Sequence, residues 1–253
     1  YGGFAGTETQ LSQRNPSGNV TILSGDIGTV GVNTDNAYNV VSALNLNSVT
    51  VLDGVTIRNG YADVGSDFGG GMYISNSSTA FQITGVIFTN NFAGNGGGLA
   101  AFVSSPVLTR VIFSANTARQ YGGGIYNQDG SPVLVDVIFD SNQTQQPASP
   151  GGGMHSTNSN SLVYSVAPSL TNVTFSNNQA LQGGGGGMFN FESHAVLTNV
   201  TFSGNSAYVR GGAMLNEGSD PVYNHVTFSG NTAPAGTGGA IRNIYALGVT
   251  PSN

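Results

Sequence analysis

The chain has 253 residues, of which 39 are glycine and only 7% are charged, and it contains no cysteine and no lysine. A formal charge of −6 with six scattered arginines excludes nucleic acid and anionic lipid as electrostatic partners, and the missing cysteines exclude disulfides and cysteine-ligated zinc. Abundant Gly, Val, Thr, Phe and Asn, with scarce Glu and no Lys, exclude a helical protein and point to strands joined by tight turns. No run approaches the roughly eighteen apolar residues of a membrane helix. No signal-like segment opens the chain at Tyr1, so the expectation is no membrane insertion and a cytosolic or mature secreted chain.

Residues 1–60 are the less regular part, with strand-like Val20-Thr21-Ile22 and Val55-Thr56-Ile57. A repeat then takes over: Val86-Ile87-Phe88, Val111-Ile112-Phe113, Val137-Ile138-Phe139, Val173-Thr174-Phe175, Val200-Thr201-Phe202 and Val226-Thr227-Phe228, with successive Phe residues 25, 26, 36, 27 and 26 apart. Val and Phe two apart share one face of a strand, so both columns are predicted to be core. After each glycine run comes a second apolar column, Met72, Leu99, Ile125, Met154, Met188, Met214 and Ile241. A unit this short cannot bury its apolar face alone and must stack on its neighbours. The prediction is an all-β parallel β-helix of about eight coils of about 26 residues. At about 4.8 Å per coil this is a rod of roughly 40 Å, forming one domain over 1–253. One unit is longer, which places an insertion at about 145–168 that includes Tyr164. Such insertions bulge from a solenoid and carry recognition.

A polar column follows each Phe by three: Asn91, Asn116, Asn142, Asn178, Asn205 and Asn231. Asn tolerates left-handed corners and its amides can bond from coil to coil, so these six are expected to be turn residues in a structural ladder. Asn127, Asn190, Asn216 and Asn243 are read in the same way; an Asn-lined groove is the alternative.

Runs such as Val196-Leu197-Thr198-Asn199-Val200-Thr201-Phe202-Ser203-Gly204-Asn205-Ser206-Ala207, followed by Gly211-Gly212-Ala213-Met214-Leu215-Asn216, resemble the right-handed parallel β-helix repeats of large bacterial surface proteins. The polymorphic outer-membrane proteins of chlamydiae carry a similar Gly-Gly-Ala-Ile plus Phe-x-x-Asn pattern. The opening Tyr1-Gly2-Gly3-Phe4 is similar to a segment found early in such domains. The resemblance implies the right-handed fold and an extracellular or cell-surface location. It implies no particular activity, since one solenoid architecture hosts many functions.

β-Helices are often carbohydrate enzymes, whose chemistry has recognisable residues. Asn33-Thr34-Asp35 matches one motif of the polygalacturonases, but the paired Asp-Asp, Gly-His-Gly and Arg-Ile-Lys of that family are missing. A lone Asp lacks the second carboxylate that glycoside hydrolysis needs, so a turn is expected there. Asp53, Asp63 and Asp67 offer a weak calcium set, short of the six or more oxygens that the ion takes. Arg110 and Asp136 occupy equivalent positions one coil apart and are expected to pair. His155, His194 and His225 fall at different repeat positions and are expected on the surface. No catalytic, metal or cofactor residue is assigned.

Two surfaces remain. Ile87, Ile112 and Ile138 should form an exposed apolar stripe, a candidate lateral contact, which gives way to Thr174, Thr201 and Thr227. At the two ends, Tyr1 and Phe4 on one side and Ile241, Ile244, Tyr245 and Val249 on the other should lie on uncapped coils. Together these imply a non-enzymatic structural protein that polymerises end to end with copies of itself. The alternatives are an adhesin that takes a glycan or host surface through the insertion, and a polysaccharide lyase or glycosidase.

Overall fold

The computed structural model describes residues 1–63, 67–77, 81–159 and 166–244. The chain is an all-β parallel solenoid of about seven turns, each of about 27 residues. The eight strands of one sheet, from Val41–Leu44 to Ile241–Ile244, enclose seven complete turns, and this accounts for the difference from the eight coils expected.

A full coil carries four strands, shown by Val107–Thr109, Ile112–Ser114, Thr117–Tyr121 and Ile125–Gln128. Each pairs in parallel with its equivalent one coil on: Leu108 with Leu134, Phe113 with Phe139, Ala118 with Thr144, Ile125 with Met154. We name the resulting ladders after their inward residues: the Leu ladder, the Phe ladder, the short ladder and the Met ladder. Inward side chains alternate with outward ones because successive residues of a strand face opposite ways. Leu108, Val111, Phe113 and Ile125 and their equivalents are thereby sealed inside as one continuous core. The Phe rings from Phe88 to Phe228 stack face over face, with centroids 4.8, 5.0, 4.6, 4.7 and 5.1 Å apart. That spacing is the inter-strand distance itself.

The corners between strands are left-handed. Arg110, Ala115, Gly122 and Asp129 bound the four strands of one coil at φ 54°, 53°, 62° and 59°. A non-glycine residue there costs about 1–2 kcal/mol, a cost that stacking offsets at three of the four corners. The corner before the Met ladder is always glycine, from Gly69 to Gly238. Two small residues follow it because the coils approach closely there: a Cβ on Gly124 would lie 2.6 Å from the carbonyl oxygen of Gly153 and 2.9 Å from the ring of Phe139.

The asparagine column differs from the expectation in one respect. The left-handed residue is the one before each asparagine, namely Asn90, Ala115, Ser141, Asn177, Gly204 and Gly230. The corner turns the asparagines themselves inward, and Asn116, Asn142, Asn178 and Asn205 are fully buried. Asn142 shows the full set of bonds. Its Nδ2 donates to Asn178 Oδ1 at 3.0 Å and to the Phe113 carbonyl at 2.9 Å, and its Oδ1 accepts from Asn116 Nδ2 and the Asn116 backbone N–H, both at 3.0 Å. The amide chain runs unbroken from Asn91 through Asn116, Asn142, Asn178 and Asn205 to Asn231. The second set is no turn feature either: Asn190, Asn216 and Asn243 stand at the third position of Met-ladder strands and bond in series at 2.8 and 2.9 Å.

On the outer face of the Phe ladder Ile87, Ile112 and Ile138 stack in register, with Ile87 37% and Ile138 41% exposed, and Thr174, Thr201 and Thr227 continue the row.

Asn142→Ala should destabilise the chain by about 3 kcal/mol, because the Asn116 amide groups and the Phe113 carbonyl lose their partners in a dry interior. Ile138→Thr copies the residue one coil on and should change stability by less than about 0.5 kcal/mol. Urea denaturation followed by circular dichroism measures both.

Candidate functional site

In the Met ladder the first and third residues of each strand point in and the second and fourth point out. Between the exposed Ser42 and Arg242 at its two ends, the second-position column reads Tyr73, Ala100, Tyr126, His155, Phe189 and Leu215, in register. A solvated outer face would be polar there. Instead the segments that lead into the glycine runs fold over this face, and Tyr126, His155, Phe189 and Leu215 are buried beneath them. The cover is incomplete and leaves a cleft of about 580 Å³. Its floor is Tyr126, His155, Phe189 and Leu215; one wall is Ala148, Pro150, Gln182, Gly183, Val209 and Arg210; Thr157, Phe191 and Glu217 edge the other side.

The floor is an aromatic cluster. The His155 ring centroid lies 4.8 Å from Tyr121, 5.2 Å from Tyr126 and 4.8 Å from Phe189. His155 is 5% exposed, and burial drives its pKa down to about 3, against a smaller upward effect of its hydrogen bond to the Pro150 carbonyl. The imidazole is therefore neutral, and its Nδ1 is buried with no hydrogen-bond partner. Burial likewise pushes Tyr126 up to about 12, assisted by Tyr121 and Asp129, and its hydroxyl donates to Gln128 Oε1 at 2.8 Å.

His155 was expected on the surface and lies in the most enclosed part of the cleft. Its strand position, one after Met154, is the one that the overlying segments cover. His194 is exposed and accepts from the Asp220 N–H at 3.1 Å, and His225 sits at an exposed left-handed corner. Arg110 and Asp136 form no ion pair: both occupy left-handed corners, and Asp136 instead accepts from Asn172 Nδ2 at 3.0 Å. Two of the three carboxylates offered for calcium are used elsewhere, Asp53 by Arg14 at 2.6 Å and Asp63 by Arg119. No three His, Asp or Glu residues cluster as a metal site among the described residues. Asn33–Asp35 is a short 3-10 turn whose Asp35 accepts from the Thr29 N–H at 2.7 Å.

Ala148 and Pro150 of the expected insertion contribute to the cleft wall, whereas Tyr164 lies outside the described residues. Among the end residues, Tyr1 and Phe4 are exposed, with Arg14 over the Tyr1 ring at 5.5 Å, and Ile241 and Ile244 are half-buried. Tyr245 and Val249 also lie outside the described residues. Sequence reasoning passed over the cleft floor. Its signal was a strand apolar on both faces, as in Ile125-Tyr126, Met188-Phe189 and Met214-Leu215, a pattern that marks cover on both sides.

The buried neutral histidine gives the chain an acid sensitivity with a defined sign. The folded pKa of about 3 lies below the ordinary value of 6.5, so between these limits the unfolded chain binds more protons. Stability should fall as pH drops from about 6.5 toward 3, by up to on the order of 1.4 kcal/mol per pH unit from this group, with no further loss below. His155→Phe should flatten that window, as read from urea midpoints at pH 4, 5 and 7.

Three segments, residues 110–128, 199–213 and 225–243, match the family model described as the Chlamydia polymorphic membrane protein repeat. No curated protein and no solved structure matches the chain. Each matched segment spans a left-handed corner, a Phe-ladder strand and its inward asparagine, and two of the three run on into the Met ladder. The chain is thus a parallel β-solenoid, three segments of which match the Chlamydia polymorphic membrane protein repeat.

Proposed function

We propose that the chain is a non-enzymatic bacterial surface protein, an adhesin-like scaffold whose stacked coils present the Met-ladder cleft to a ligand outside the cell. The repeat type supports the surface location. The observation that carries the binding role is the covered aromatic column Tyr126, His155, Phe189 and Leu215, which leaves a concave, partly apolar opening on an otherwise repetitive rod. Glu217 is the one carboxylate among the described residues that line the cleft, short of the pair that glycoside hydrolysis takes, which supports a role in binding over one in chemistry.

Polymerisation end to end is the second reading. Phe228 and Ile241 are only half-buried in the last described coil, where their equivalents Phe202 and Met214 are sealed, so a further coil stacked on them, whether of this chain or of a second copy, would bury apolar surface.

Beads coated with the purified chain should adhere to epithelial monolayers, and coating with Phe191→Ala should reduce the number bound at least fivefold. Equal adhesion by the two coatings contradicts the cleft as the recognition site. Negative-stain microscopy over a dilution series addresses the second reading: filaments support it and isolated short rods at every concentration overturn it.

A further inference from the structure

We infer that the cleft takes a neutral glycan, engaged through a terminal disaccharide. The inference rests on reading the cleft as a recognition site, and four observations select the ligand. The opening of about 580 Å³ falls in the ordinary range for small-molecule sites, about 300–1,000 Å³, and so admits a disaccharide and not a folded partner.

The lining pairs flat aromatic faces with hydrogen-bonding side chains of mixed type. Phe191, 39% exposed at the edge and backed by the Phe189 ring, offers an apolar face to the C–H side of a pyranose. Thr157 and Gln182 can each both donate and accept, which suits hydroxyl groups that do the same.

His155 supplies the third observation. Burial keeps its imidazole neutral, and Nδ1 is a buried ring nitrogen with no hydrogen-bond partner. A buried unpaired polar atom is costly. A ligand hydroxyl, which both donates and accepts, satisfies it in either tautomer, whereas a carboxylate, sulfate or phosphate only accepts.

Charge completes the selection. The cleft holds one cation, Arg210, and one anion, Glu217, which offset each other, and the whole chain carries −6. An acidic glycan would approach against that field, while a neutral one can use Arg210 as donor and Glu217 as acceptor.

Saturation-transfer NMR with lactose, maltose and chitobiose as neutral probes, and sialyllactose and a heparin disaccharide as acidic ones, tests the assignment. At least one neutral disaccharide should bind at millimolar concentration or tighter. Phe191→Ala should weaken it at least tenfold and Glu217→Gln at least threefold, with Ile138→Thr on the Phe ladder as an unaffected folding control. The inference is overturned if no neutral probe binds, if binding ignores Phe191, or if an acidic probe binds more tightly than every neutral one. Comparison with bead adhesion separates this from the broader reading. Phe191-dependent adhesion without neutral-sugar binding removes the glycan and keeps the scaffold. Sugar binding with Phe191-independent adhesion keeps the glycan site and removes the adhesin role.

Discussion

Everything in this rod depends on the distance between coils, and the buried asparagine amides are what make that distance specific. A stacked apolar core tolerates sliding, since one methyl contact resembles the next. A primary amide in a dry interior does not, because each of its donors and acceptors has to meet a partner. Asn142 meets its partners only when the coil before it offers the Asn116 amide groups and the Phe113 carbonyl, and the coil after it offers Asn178 Oδ1. A coil shifted by one residue would leave several buried polar groups unpaired, at about 1–3 kcal/mol each. The Phe stack, with rings 4.6 to 5.1 Å apart, then falls into register with no further instruction.

The same constraint explains the composition. Four left-handed corners per coil favour Asn, Asp and Gly, and the close approach beside the Phe rings leaves room for little more than glycine at Gly98, Gly124, Gly153 and Gly187. Charge is scarce because half of every strand faces the core and much of the corner chemistry is done by amides. The outer faces escape these restrictions. The Phe-ladder exterior changes from Ile to Thr along the rod without consequence for the stack. The Met-ladder exterior instead departs from polar alternation and acquires a cover of folded-over segments, and that departure leaves the concave surface proposed as the ligand site.

The inward columns were readable in the sequence because a period near 26 residues repeats them, and repetition of Phe, Asn and Met at fixed offsets leaves little freedom in which residues stack. Two things were less readable. The corner was assigned to the asparagine itself, when the left-handed turn belongs to the residue before it, as Ala115 shows ahead of Asn116; spacing along the chain does not distinguish adjacent residues of a turn. The placement of His155 depends on segments around Tyr121, Pro150 and Gln182 closing over the outer face, and those segments follow no repeat. The same holds for Arg110 and Asp136, equivalent in register yet unpaired because each sits at a corner and Asn172 engages the aspartate. Registry is thus encoded in periodic residues, and the cleft in the aperiodic ones that lie over them.

The most direct measurement of the central claim is hydrogen exchange at asparagine side-chain amides, followed by NMR on the chain labelled with ¹⁵N-asparagine. The account predicts a slow set assigned to Asn91, Asn116, Asn142, Asn178 and Asn205, protected alongside the backbone amides of the Phe ladder, while exposed asparagines exchange at once. Fast exchange at those five, with the strands themselves protected, would show that the coils hold their register without the amide ladder and would contradict the account.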